Sequence, residues 1–107
     1  MTVKQLVDAY GYRVLCMPDE NREVVGGYAG DLLSWVMGRL EADNAWVTIM
    51  SNVNIVAIAT LADPSCIILS EGVTPEEDVL TRAIQQGVNI LSTDKTTFSV
   101  CAELAMA

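Results

Sequence analysis

The sequence predicts one α/β domain over residues 1–107, a mainly parallel sheet with helices packed on it. The expected order is a β-α-β-α-β-α core preceded by an N-terminal helix and strands. Three observations carry this. Trp46 to Gly72 reads as strand, helix, strand: WVTIM, a polar SNVN, IVAIATLAD, then CIILSEG. The runs at Ala45–Met50, Cys66–Leu69 and Val88–Leu91 are continuously apolar, as in strands covered on both faces. Helix-length segments separate them, as parallel pairing requires.

Taken in order, Thr2-Val3-Lys4-Gln5 is a capping box, and Val3, Leu6, Val7 and Tyr10 form one apolar stripe that Gly11 ends. Tyr12 to Cys16 reads as a strand, Met17-Pro18-Asp19-Glu20-Asn21 as a turn, and Glu23 to Tyr28 as a strand weakened by Gly26 and Gly27. Asp31 is placed to cap a helix whose inner face is Leu32, Leu33, Val36, Met37 and Leu40. Trp46 is expected at the rim of the next strand.

Val53 to Ala62 mixes β-branched residues with alanine. Its entry lacks an Asn-Gly or Asp-Gly hairpin turn, and the strand after it needs a crossover, so the segment reads as a buried helix capped by Ser51 or Asn52. Thr74-Pro75-Glu76-Glu77 combines a capping threonine, a proline at the first helical position and a closing glutamate. Val79, Leu80, Ala83 and Ile84 are its core face and Gly87 its terminator. Ser92-Thr93-Asp94 is expected to cap a last helix with Phe98, Cys101, Ala102 and Ala105 inside. Right-handed crossovers then bring the polar loops after three strands to one edge. Open parallel sheets bind ligands there.

Composition narrows the function. Fourteen acidic residues against six basic ones give a net charge of −8, opposite to what a phosphate backbone selects, so nucleic acid is not expected as a partner. Cys16, Cys66 and Cys101 are scattered and histidine is absent, which argues against a disulfide framework, a zinc site and a histidine-based triad. No run spans a membrane and no basic-then-apolar leader opens the chain, so a cytoplasmic location is expected. No GxxxxGK[ST] loop exists to cradle phosphates, so the chain is not by itself a serine kinase. Neither a cofactor nor a metal is implied.

The loop residues carry a resemblance. A strand with a polar turn into an alanine-rich helix, a strand ending in Ser70-Glu71-Gly72 before Thr74-Pro75-Glu76-Glu77, and a strand ending in Ser92-Thr93-Asp94 ahead of Thr97-Phe98 resemble the DRTGG domain over roughly residues 25–105. Where that family often has Gly-Asp-Arg this chain has Ser51-Asn52-Val53, and where many members have Thr-Gly-Gly it has Ser70-Glu71-Gly72. The resemblance implies a small α/β module, similar to the N-terminal domain of HPr kinase/phosphorylase and to the DRTGG domain of phosphotransacetylases. Such modules are found beside nucleotide-binding CBS pairs and commonly dimerise.

Two functions follow as expectations. One is a non-catalytic regulatory or interaction module, a homodimer, taking a small polar or nucleotide-like ligand or a protein partner. Its candidate ligand residues are Ser51, Asn52, Asn54, Ser70, Glu71, Gly72, Thr74, Thr93, Asp94, Thr96 and Thr97. The other is a small enzyme acting on a phosphorylated or acyl metabolite. The first is preferred because capping accounts for the polar loop residues without catalysis. A hydrophobic content of 51 % and Trp35 beside the Leu32, Leu33 and Val36 stripe point to a paired surface.

Overall fold

The computed structural model describes residues 1–107. Helix α1 (Val3–Tyr10) leads into strand β1 (Arg13–Cys16), and four strand-helix units follow. These are β2 (Gly26–Ala29) with α2 (Leu33–Arg39), β3 (Asn44–Thr48) with α3 (Asn54–Ala62), β4 (Cys66–Leu69) with α4 (Val79–Gln86), and β5 (Ile90–Ser92) with α5 (Thr97–Met106). The sheet order is β1-β5-β4-β3-β2; β2 to β5 are parallel and β1 pairs antiparallel with β5. Because the chain steps across the sheet in one direction, crossovers of one hand put α2, α3 and α4 on one face. Packing agrees. Val36, Ile55, Val56, Val79 and Ala83 share a core with Trp46, Ile67, Leu69 and Ile90. The other face holds α1 and α5, where Val3, Leu6 and Val100 meet Ala45, Val47, Cys66, Ile68 and Leu91.

Alternate residues of β4 therefore feed opposite cores, and all four are buried, as their continuous apolar run requires. The helix expected from Val53 to Ala62 forms over Asn54–Ala62, but its N-cap position is Val53 and not Ser51 or Asn52, and it carries no side-chain cap. Asn52 Oδ1 accepts the Asn54 N–H at 2.9 Å within the preceding turn. Thr2 and Gln5 make both bonds of their capping box, at 3.1 and 2.8 Å. Gly11 and Gly87 end their helices with left-handed φ of 73° and 71°.

Several expectations need correction. Trp46 is fully buried, not at the rim, and its indole N–H donates to the Gly30 carbonyl at 3.0 Å. Asp31 caps no helix; α2 starts at Leu33 without a side-chain cap. Thr74 does not open α4, which begins at Val79, because the Glu76 N–H is taken by the Ser51 carbonyl at 2.9 Å and holds that stretch to the β3–α3 loop. Thr96, not Ser92-Thr93-Asp94, caps α5: its hydroxyl accepts the Ser99 N–H at 3.1 Å. The apolar stripes expected on α2, α4 and α5 are partly exposed. Leu32, Met37, Ile84 and Phe98 are exposed, as is Leu61 on the supposedly enclosed α3. Inside α5 the buried residue is Val100, with Cys101 and Leu104 packed beside it.

Candidate functional site

Parallel register sets the site. Ala29 aligns with Val47, Thr48 with Leu69, and Leu69 with Ser92, so the chain leaves four adjacent strands at Gly30, Ile49, Ser70 and Thr93 along one edge. The antiparallel β1 enters at the same edge, with Arg13 opposite Ser92. Ser51, Asn52, Ser70, Glu71, Gly72, Thr93 and Asp94 are thereby brought onto the loops of that edge, with Thr96 capping α5 and Thr97 its first residue. Asn54 lies on the first turn of α3 and Thr74 on the approach to α4.

The β4–α4 and β5–α5 loops are bonded into one unit. The Glu71 N–H donates to the Lys95 carbonyl at 2.8 Å and the Gly72 N–H to the Thr93 carbonyl at 3.0 Å. The Ser70 and Thr97 hydroxyls are 2.6 Å apart, and the Glu71 carboxylate accepts the Thr97 N–H at 2.8 Å. Glu71 and Gly72 both have left-handed φ, 60° and 72°, and the Val73 N–H reaches the Ser70 carbonyl at 3.2 Å. Two such residues in sequence make a tight turn that glycine adopts freely and glutamate does not. An ideal Cβ on Gly72 would lie 3.4 Å from Asp94 Oδ1, so that carboxylate sits against bare backbone.

A guanidinium reaches this edge from β1. Arg13 Nε donates to Ser92 Oγ at 3.1 Å, and its other nitrogens meet both Asp94 oxygens at 2.9 and 3.3 Å. This fork holds the Asp94 carboxyl below the usual carboxylate range and raises the guanidinium. Sequence reading missed Arg13 because it stands 81 residues from Asp94, and only the antiparallel pairing of β1 with β5 joins them. A lone charged residue at the start of a strand gives no local signal.

Asp31 was also misassigned. Its Oδ1 accepts the Thr48 hydroxyl at 2.8 Å and the Ile49 N–H at 2.9 Å, tying the β2–α2 turn to the end of β3. Behind the edge, Lys95 Nζ bonds the Tyr10 carbonyl at 2.8 Å and Glu103 at 2.7 Å, and Tyr12 donates to Glu103 at 2.6 Å. Burial raises the Glu103 carboxyl, but the bonds from Lys95 and Tyr12 outweigh it and leave the group below its ordinary value. Burial pushes the Tyr12 phenol up, and burial drives the Cys66 thiol to about 12.

What remains available at the edge is a shallow polar shelf. The Ser51 hydroxyl, the Asn52 side-chain N–H groups, the Thr74 hydroxyl and Asp31 Oδ2 make no hydrogen bond within the chain, while the Ser70 hydroxyl is buried and taken. The shelf therefore offers donors, acceptors and one guanidinium, with no activated nucleophile. No group of three or more His, Cys, Asp or Glu residues is arranged to hold a metal ion. Of the predicted residues only Asn54 lines a distinct cavity, a cleft of about 370 Å³ between α3 and α4 with Thr60, Arg82 and Gln86. No helix is long and apolar enough to cross a membrane.

Comparison with known proteins agrees with this architecture. The family model described as DRTGG domain matches residues 5–107. A solved structure of the CBS and DRTGG domains of the regulatory region of Clostridium perfringens pyrophosphatase, complexed with activator, diadenosine tetraphosphate, superposes with a TM-score of 0.77 at 13 % identity. The match covers 96 % of this chain and 45 % of that one, so this chain corresponds to under half of its neighbour. No curated protein sequence matches the chain.

Proposed function

The chain belongs to the DRTGG domain family, and we propose that it is a non-catalytic regulatory module that takes a small, nucleotide-like ligand on the shelf at the C-terminal edge of its sheet. The observation that carries this is the convergence of Arg13, Asp31, Ser51, Asn52 and Asp94 on that edge with no exposed hydroxyl held beside a base. Carboxylates accept from ribose hydroxyls and base amines, amides pair with base edges, and a guanidinium meets phosphate in two parallel bonds. The Arg13–Asp94 pair is exposed and screened by solvent, so a phosphate can displace Asp94 at little cost.

The Clostridium perfringens neighbour was solved with a dinucleotide activator, which supports the ligand class. The enzymatic alternative finds less support, since Ser70 Oγ is buried against Thr97, and Thr48, whose hydroxyl donates to the Asp31 carboxylate, is buried as well. The module pairs with a second copy through α2. There Trp35 is 54 % exposed, carries the Arg39 guanidinium 3.9 Å over its ring, and lies near the exposed Leu32. A two-fold contact would bury this patch on both subunits.

A thermal-shift panel of diadenosine tetraphosphate, ATP, AMP and inorganic phosphate tests the reading. A ligand that binds only the folded chain must raise Tm. The dinucleotide or a mononucleotide should raise it and Arg13→Ala should reduce the rise; a panel without effect contradicts the proposal.

A further inference from the structure

Two large apolar side chains are left bare at the ligand edge. Phe98, on the first turn of α5, is 83 % exposed, and Ile49, just past the end of β3, is 42 % exposed. One exposed apolar residue is ordinary on any surface. These two stand on the same face of the sheet.

Helical spacing places the phenylalanine. Thr97, Val100 and Leu104 turn inward, to Ser70, to the core and to Gly27. Phe98 falls on the next stripe round, with Cys101 and Ala105 three and seven residues on, and those two line a groove of about 340 Å³ beside β2. Side chains on a helix lean toward its N-terminus, which for α5 is the ligand edge, so Phe98 overhangs the edge end of that groove. Strand alternation places the isoleucine. Ala45 and Val47 of β3 share a core with Val100 of α5, and Ile49 is the next residue on that side. Because α5 packs over β2 and β3, Phe98 above and Ile49 below frame an apolar slot that opens onto the shelf.

The neighbours of the slot select its occupant. The Ile49 N–H bonds Asp31 Oδ1 at 2.9 Å, and Asp31 Oδ2 is left beside it to accept from an amine. Arg13, on β1, stands three strand spacings from β3 along the same edge, about 14 Å. A flat ring bearing an amine and joined through a sugar to phosphate meets the slot, the carboxylate and the guanidinium together. A free phosphate or a sugar phosphate leaves the slot empty.

We infer that Phe98 and Ile49 form the base-binding end of the shelf, with the Phe98 ring stacked on the base. This rests on the nucleotide-like reading of the shelf and deepens it. Phe98 is the only phenylalanine in the chain, so protein labelled on that ring shows a single ring spectrum. The probes are AMP and ribose 5-phosphate, which share sugar and phosphate and differ by the base. AMP should move the Phe98 ring signals together with the edge amides and bind about tenfold tighter than ribose 5-phosphate, which should move the edge amides alone. Phe98→Ala, an exposed change, should remove the preference for AMP, and Phe98→Tyr should keep it. An unmoved ring while AMP shifts the edge amides, or an undiminished preference in Phe98→Ala, overturns the slot and leaves the nucleotide reading standing. Edge amides that neither compound moves contradict that reading, and the slot falls with it.

Discussion

Asp31 and Thr48, 17 residues apart, share a 2.8 Å hydrogen bond that fastens the start of the α2 crossover to the end of β3. The same carboxylate oxygen takes the Ile49 N–H, and the buried Thr48 hydroxyl also accepts from Met50, at 3.2 Å. Three backbone directions at the ligand edge thus depend on one carboxylate. Asp31→Ala should cost about 1–2 kcal/mol in urea denaturation, because it strands the Thr48 hydroxyl. Asp31→Asn keeps an acceptor and should cost less. Equal stability of Asp31→Ala and wild type would show that the contact does not fasten the edge.

Glu71 is a residue in a glycine conformation. Its carboxylate caps the Thr97 N–H, but its φ of 60° is unfavourable for any side chain. Glu71→Ala keeps the strain and loses the bond, whereas Glu71→Gly loses the bond and relieves the strain. The glycine variant should therefore be more stable than the alanine variant by about 1 kcal/mol, read from paired denaturation curves. The reverse order would place the turn in another conformation.

Acid stability should report Glu103. Its folded pKa lies below the ordinary glutamate value through Lys95 and Tyr12, against the opposing effect of burial. A depressed carboxylate stabilises the fold fully above the unfolded-state value of about 4.3, and the contribution is lost as pH falls through the lower folded value. Glu103→Gln should reduce stability at neutral pH and flatten the acid limb of the stability–pH curve. An unchanged acid limb would assign acid lability to other carboxylates.

Light scattering at micromolar concentration tests the paired state. The proposal expects twice the monomer mass of 11.6 kDa, and Trp35→Glu should return it to the monomer with Tm hardly lowered, since the ring is half exposed. A wild-type monomer would remove α2 as an interface.

Much of this fold is written locally. The capping box at Thr2, the glycines at 11 and 87 and the continuous apolar run of β4 each act within a few residues, and all appear where expected. The failures share a cause. Glu76 gives its N–H to Ser51, Asp31 turns to Thr48 and Asp94 turns to Arg13, so three helix starts that look settled locally are redirected by partners across the edge. Trp46 was misplaced likewise, because its acceptor, the Gly30 carbonyl, belongs to another strand's exit. The convergence of the loops on one edge was legible from parallel topology alone, but the guanidinium there was not.

The central claim is that the C-terminal edge holds a nucleotide-like ligand, and backbone chemical-shift mapping with diadenosine tetraphosphate tests it most directly. The amides of Ser51, Asn52, Ser70 to Gly72, Thr93 and Asp94 should move together and saturate, and Arg13→Ala should weaken the titration about tenfold, the loss of one charge-assisted phosphate contact. Shifts confined to Asn54, Thr60, Arg82 and Gln86 would place the ligand in the α3–α4 cleft instead, and an unmoved spectrum would contradict the account.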